Sequence, residues 1–223
     1  MQEEEDHGVT AENGIAVVLA QPGGEENRVF GVLAGRPPGS DWDEEVVPGA
    51  YWELDQTKDE CKFDPKDLKH RRGRFPVQAT GISYGGGQEV STSETKRLLA
   101  SPSIIRIAGY ANYAFQTWAP RLYDAYVHTM DELYARNPQL RPNFDNSIFA
   151  SATINFGPSA ACFPHVDELN MPYRWCAITA LGDFDPARGG HLVLWDLKMI
   201  IEFPAGSTIL IPSATIRHSN IPV

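Results

Sequence analysis

The sequence predicts an α+β chain in which N-terminal helices pack in front of a β-sandwich of jelly-roll type. Three observations lead there. From Phe149 onward, runs of β-branched and aromatic residues recur between Gly and Pro punctuation: SATINFG, RWCAITALGDF, HLVLWDL, MIIEFP and STILIPSATIRHSN. Short strands at such close spacing indicate a sandwich or barrel rather than βαβ units. Ahead of them stand two helical signatures, and no repeat of fixed period interrupts the order.

The front of the chain differs from the rest. Residues 1–60 hold 15 acidic and 3 basic residues, whereas residues 61–223 hold 14 and 16, so the overall charge of −10 belongs to the front. Rich in Glu, Asp, Gly and Pro, residues 1–60 are expected to form a partly ordered, loosely packed region carrying only short apolar islands such as IAVVLA and VFGVLAG. The remaining chain is near neutral, which leaves an anionic partner open to it. Lys62–Arg74, KFDPKDLKHRRGR, sets six basic residues against two Asp. It reads as a solvated face, with a nuclear-import signal or a phosphate-contacting patch as alternatives.

GISYGGGQ (Gly81–Gln88) lacks the GK[ST] ending of a phosphate-cradling loop and reads as a tight turn where backbone approaches backbone. Ser91 and Glu94 form a capping box opening a short helix that stops before Pro102. The clearest helix runs from about Trp118 to Arg136. Its Leu122, Tyr126, Met130 and Leu133 fall on one face, and Asn137-Pro138 ends it. Cys61, Cys162 and Cys176 form no CxxC pair and no disulfide framework, which indicates a reducing compartment. The first residues, MQEEEDHG, lack a basic n-region, and the apolar run Ile15–Ala20 is too short to span a membrane; neither a secretory signal nor a membrane partner is expected.

Within the strand region, FPHVDEL places His165 and Asp167 two residues apart, hence on one face of an extended segment. Alone, such a triplet is a weak signal. His218 raises it: 53 residues further on, it is expected near the end of an apolar strand that begins at the Gly206-Ser207 turn. First and last strands of a jelly roll lie close together, which would bring His218 to the pair. Two histidines and one carboxylate form the facial triad of non-haem Fe(II) oxygenases. Zn²⁺ with a water, for hydrolysis, is a second reading, and a structural histidine at a strand end is a third.

HVDELN, then RWCAITALGDFDPARGGHLVLWDLK, then EFPAGSTILIPSATIRHSN, resemble 2-oxoglutarate/Fe(II) dioxygenases of the TET/JBP type, in particular the branch expanded in mushroom-forming (basidiomycete) fungi. GISYGGGQ and SATINFGP fit that branch too, so the resemblance covers about residues 75–223. It implies a double-stranded β-helix fold in a dioxygenase-like domain spanning residues 61–223. It also implies Fe(II), 2-oxoglutarate and O2 as cofactors and co-substrates, and His165, Asp167 and His218 as iron ligands. The implied reaction oxidises a methyl group on a base of duplex DNA, 5-methylcytosine or N6-methyladenine, with succinate and CO₂ as co-products. That reading places a monomeric enzyme of DNA demethylation in the nucleus, with the cytoplasm as alternative. The same chemistry on a protein or small molecule, and a catalytically inactive relative, stay open.

Further site residues follow from the resemblance. Asn170, three positions after Asp167, is expected to hydrogen-bond the target base, an amide offering both donor and acceptor; a turn residue before Met171-Pro172 is the alternative. Asn155 is expected against the 2-oxoglutarate carboxylate, or else as a strand-end cap. Tyr173 and Arg174, with Trp175, are candidates for holding a nucleic acid strand, though aromatics there, as at Tyr110, Tyr113, Phe115 and Trp118, also suit a core. The family places an arginine about ten residues after its last histidine, to pair with the far carboxylate of 2-oxoglutarate. Here five residues follow His218, so the domain is expected to be truncated at its C-terminus. Arg106, Lys198 and Arg174 are the candidate substitutes, none singled out by the residues around it, while Arg217 alternates to the face opposite His218.

Overall fold

The structure, a computed structural model, describes residues 17–21, 28–39, 41–83, 87–89 and 92–223. Among the described residues, ten strands and five α-helices form a mixed α+β arrangement. They run β1 (Val17–Gln21), β2 (Arg28–Gly35), a π-helical turn Trp42–Val46, α1 (Val47–Glu60), α2 (Pro65–Leu68), β3 (Val77–Ser83), β4 (Gly87–Glu89), α3 (Ser93–Leu99), α4 (Pro102–Trp118) and α5 (Pro120–Arg136). Then come β5 (Ser151–Asn155), β6 (Cys176–Thr179), β7 (Leu192–Leu194), a 3₁₀ turn Trp195–Leu197, β8 (Met199–Ile201), β9 (Thr208–Ile211) and β10 (His218–Asn220). All pairings are antiparallel, in three sheets ordered β1-β2-β9-β6, β10-β7-β8 and β4-β3-β5.

β9 shows why the layers stack as they do. A central strand covered on both faces reads as a near-continuous apolar run: Ile209, Leu210 and Ile211 are all 0 % exposed, and Thr208, equally buried, pairs its hydroxyl with that of Thr179 at 2.8 Å. Alternation then divides them. Ile209 and Ile211 join Leu33 of β2 against Leu192, Leu194 and Ile201 of the second sheet. Leu210 joins Val32 and Ala34 on the opposite face, against Phe115, Tyr126 and Trp175. The four-stranded sheet is thus sandwiched between the β10-β7-β8 sheet and helices α4 and α5. Each of these buried aliphatic side chains contributes about 1.5–3 kcal/mol of transfer free energy.

Within the region expected to be loosely packed, Val32, Leu33 and Ala34 belong to this core. β2 is an interior strand, and Trp42, Val46, Val47 and Ala50 pack on Ile107 of α4. Their charged flanks dominate the composition, but the apolar positions meet partners far along the chain. Gly206 locks the junction: its φ is +83°, and a Cβ there would lie 2.6 Å from Val47 Cγ2, while Trp42 Nε1–H donates to its carbonyl at 3.2 Å.

The helices correct the expected boundaries in two places. Ser91 lies outside the described residues, and the cap of α3 is Thr92, whose hydroxyl accepts from the Thr95 N–H at 3.2 Å. α4 is a helix that periodicity did not disclose. Capped by Ser101 and opened by Pro102, it buries Ile107, Ala111, Ala114 and Phe115. α5 presents Tyr126 and Met130 inward, and the Asn137 amide donates to the Leu133 carbonyl at 2.9 Å to end it.

Candidate metal centre

Strand pairing brings the two histidines together. His165 and His218 form an isolated antiparallel bridge, with the His165 N–H donating to the His218 carbonyl at 3.0 Å and the reverse bond at 2.9 Å. β10 is thereby held between β7 and the segment carrying His165. The rings lie 4.4 Å apart between centroids. One ligand atom from each of His165, Asp167 and His218 lies within 4.8 Å of the others, and among the described residues no other His/Cys/Asp/Glu group is so disposed.

The ring nitrogens are set by their partners. His165 Nδ1 stands 2.7 Å from the Phe163 carbonyl and His218 Nδ1 2.9 Å from the Ile216 carbonyl. A carbonyl only accepts, so each Nδ1 donates, which leaves Nε2 as the ring nitrogen available to a ligand. His165 Nε2 and Asp167 Oδ1 are 3.8 Å apart, too far for a hydrogen bond, so lone pairs on both remain free. Burial holds the His165 imidazole below its ordinary pKa; the Phe163 carbonyl opposes this, the His218 ring and Arg72 add to it, and Asp167 opposes it. His165 is 9 % and His218 5 % exposed, whereas the Asp167 side chain is 24 % exposed.

Two contributors were not anticipated. Ser213, fully buried just after β9, accepts the Asp167 N–H on its carbonyl at 2.9 Å and the Asn170 amide on its hydroxyl at 2.9 Å. It ties the loop carrying the carboxylate to the central strand. Arg72 belongs to the basic 62–74 segment; its carbonyl accepts from the Phe163 N–H at 2.7 Å, two residues from His165. Nothing local in the sequence signals either contact, because both join segments far apart.

The other expected site residues are placed as follows. Asn170 is exposed, and its N–H closes a turn onto the Asp167 carbonyl at 2.9 Å. Tyr173 is 65 % exposed. Arg174 lies 4.6 Å over the Tyr126 ring and donates to Thr129 at 2.8 Å. Trp175, Tyr110 and Phe115 are core or half-buried groups, Tyr110 donating to the Ala34 carbonyl at 2.7 Å. Asn155 ends β5, exposed, opposite Val77. Arg106 is paired with Asp41 at 2.7 Å, and neither it nor Arg174 is among the charges that act most on His165. Lys198 is exposed at a left-handed turn, φ 52°. Arg217 faces outward onto Asp196 at 3.5 Å, as alternation from His218 requires. Two open clefts lie beside residues 143–148, and neither is lined by the triad.

No family model matches the chain, and no curated protein matches it either. Solved structures do. NgTET1 in complex with 5mC DNA aligns with a TM-score of 0.57 and 18 % sequence identity, over 87 % of this chain and 67 % of that one. The likeness is one of fold. Among the described residues no helix is long and apolar enough to cross a membrane.

Proposed function

We propose that the chain is a 2-oxoglutarate- and Fe(II)-dependent dioxygenase of the TET/JBP type, oxidising a methyl group on a DNA base, 5-methylcytosine or N6-methyladenine, in the nucleus. The carrying observation is the triad: two imidazoles, each held at Nδ1 by a main-chain carbonyl, and one carboxylate, side by side on a bridged pair of segments. The donor set fits iron. Two neutral nitrogens and one anionic oxygen suit a divalent ion of intermediate softness, and three protein ligands leave room for further ones. The shared fold with a protein solved on 5mC DNA supports the substrate class. It also favours reading the two face-to-face sheets as a double-stranded β-helix.

His165, Asp167 and His218 would hold the ion, and the Phe163 and Ile216 carbonyls orient the two rings. When bound, iron with 2-oxoglutarate and O2 supplies the oxidising power to hydroxylate an unactivated C–H bond. Burial of His165 disfavours its charged form, which suits a residue that must be neutral to act as a ligand. Asn170, poised by Ser213 at the exposed rim, is assigned to the edge of a base turned out of its stack. Asn155 is retained as a candidate near the co-substrate. Arg106 and Arg174 are already engaged and Lys198 is turned to solvent, so no side chain is assigned to the far carboxylate of 2-oxoglutarate.

The test is mass spectrometry of nucleosides after methylated duplex DNA is incubated with protein, Fe(II), 2-oxoglutarate and ascorbate, alongside succinate release. Oxidised base with matching succinate is the expected result. Succinate without base oxidation would move the chemistry to a protein or small-molecule substrate; neither product would overturn the dioxygenase reading.

A further inference from the structure

We propose that the basic ribbon Lys62–Arg74 is the docking strip for the sugar–phosphate backbone of the nucleic acid whose base enters the metal centre; the substrate part of this rests on the function proposed above. In a chain of net charge −10, the ribbon concentrates six Lys/Arg against two Asp within thirteen residues. Composition alone would read that as a solvated face. The fold makes it more, because the ribbon is strapped to the segment that carries His165.

Four contacts make the strap. Gly73 bridges Cys162, the Phe163 N–H donates to the Arg72 carbonyl at 2.7 Å, Arg71 Nη1 donates to the Val166 carbonyl at 2.8 Å, and Arg71 stands 3.8 Å from Glu168. Positive charge is therefore carried at a fixed offset from the triad. Little of it is neutralised. Lys66–Asp64 and Arg71–Glu168, both at 3.8 Å and exposed, are pairs of the kind that contribute little. Lys62, Lys69, Arg72 and Arg74 make no ion pair among the described residues, and of these all but the half-buried Arg72 are exposed.

The neighbouring surface narrows the partner. Phe163, Leu169, Met171 and Tyr173 are 49 %, 92 %, 44 % and 65 % exposed on the loop around His165 and Asp167. Cations that track phosphates beside aromatic and apolar side chains that meet bases are the two parts of a nucleic acid platform. An anionic membrane would instead favour an amphipathic helix with both characters on one element. The ribbon's only helix, α2, has four residues.

The experiment is fluorescence anisotropy of a labelled methylated duplex and the matching single strand across a salt series, using the full chain with its metal site chelated. The triple variant Lys62→Gln/Lys69→Gln/Arg74→Gln removes exposed, unpaired charge, so its melting temperature should match the parent's. Its log–log salt slope should be shallower by about 2.7 on duplex or about 2 on single strand, and its affinity at 0.15 M salt lower by about 100-fold. Arg121→Gln/Arg136→Gln, on α5, should keep the parent slope. A triple variant with parental slope and affinity overturns the proposal. So does a parent that binds acidic-lipid vesicles and ignores nucleic acid, or that binds neither. Because the metal is chelated throughout, binding is read apart from turnover; succinate release by the parent separately reports the proposed chemistry.

Discussion

Asp167→Asn isolates the metal centre from the fold that supports it. The carboxamide keeps the shape of the side chain. The bonds that hold this position, the Asp167 N–H to the Ser213 carbonyl and the Asn170 N–H to the Asp167 carbonyl, both 2.9 Å, are main-chain and survive. Without metal, the variant should therefore melt within about 2 °C of the parent, as a surface-facing isosteric change of about 0.5 kcal/mol allows. With metal the two should separate. An ion at 100 times its Kd stabilises the parent by about 2.7 kcal/mol. At about 2–4 °C per kcal/mol for a chain of this size, that is a rise of about 5–11 °C. Loss of an outer-shell partner alone costs about 10–100-fold in affinity, and loss of the one anionic ligand costs at least the upper figure. The same ion concentration then only matches Kd, leaving about 0.4 kcal/mol, or about 1–2 °C. Differential scanning fluorimetry with Mn(II), a redox-quiet stand-in, against EDTA reads both numbers. An equal metal-induced shift in variant and parent would refute the assignment of Asp167.

Asn170→Ala should abolish base oxidation while the metal-induced melting shift stays parental, because only the Ser213 hydroxyl contact is lost; equal activity of variant and parent on methylated duplex would remove Asn170 from the base-reading role. Phe115 is fully buried and touches the rings of Tyr123, Tyr126, Phe149 and Trp175. Phe115→Ala should thus cost about 3–5 kcal/mol in denaturant titration, yet metal stoichiometry should not change, since this cluster lies on the helix side of β9; a change of less than about 1 kcal/mol would mean the cluster is not the core described. Burial pushes the Cys162 thiol up to about 11 and the Cys176 thiol up to about 12, with Asp167 adding to both. A raised pKa means less thiolate at a given pH. Iodoacetamide at pH 8 should accordingly label Cys176 more slowly than Cys162, with all three cysteines reacting once guanidinium unfolds the chain. Rapid native labelling of Cys176 would contradict the raised thiol pKa of its partly buried setting.

The strands of the C-terminal half were legible because their own residues specify them. β-Branched runs between Gly and Pro mark β5 to β10, and a two-residue spacing puts His165 and Asp167 on one face before any partner is known. His218 was expected near the end of the strand that starts at the Gly206-Ser207 turn; that strand, β9, ends at Ile211, and His218 instead opens β10 in a different sheet, from which the bridge brings it to His165. α5 was legible from its apolar face and its Asn137 stop. β2 was not. VFGVLAG is apolar enough for an interior strand, but its pairing with β9 joins Val32 to Leu210, and nothing near residue 32 signals a partner 178 residues away. α4 was obscured by its content: Ile104, Ile105 and Ile107 favour strands, and Gly109 weakens a helix, so packing of Ala111, Ala114 and Phe115 on the sheet decides its form. Arg72 and Ser213 were hidden for the same reason as β2. The first contacts the site through backbone pairing and the second through a strand end.

The central claim is that His165, Asp167 and His218 surround one metal ion. Crystals grown with Fe(II) under anaerobic conditions, or with Mn(II), should show a single anomalous peak at the metal edge. It should lie about 2.0–2.2 Å from both Nε2 atoms and from one Asp167 carboxylate oxygen. A peak elsewhere, or a fully occupied site that leaves either histidine out of reach, would contradict it.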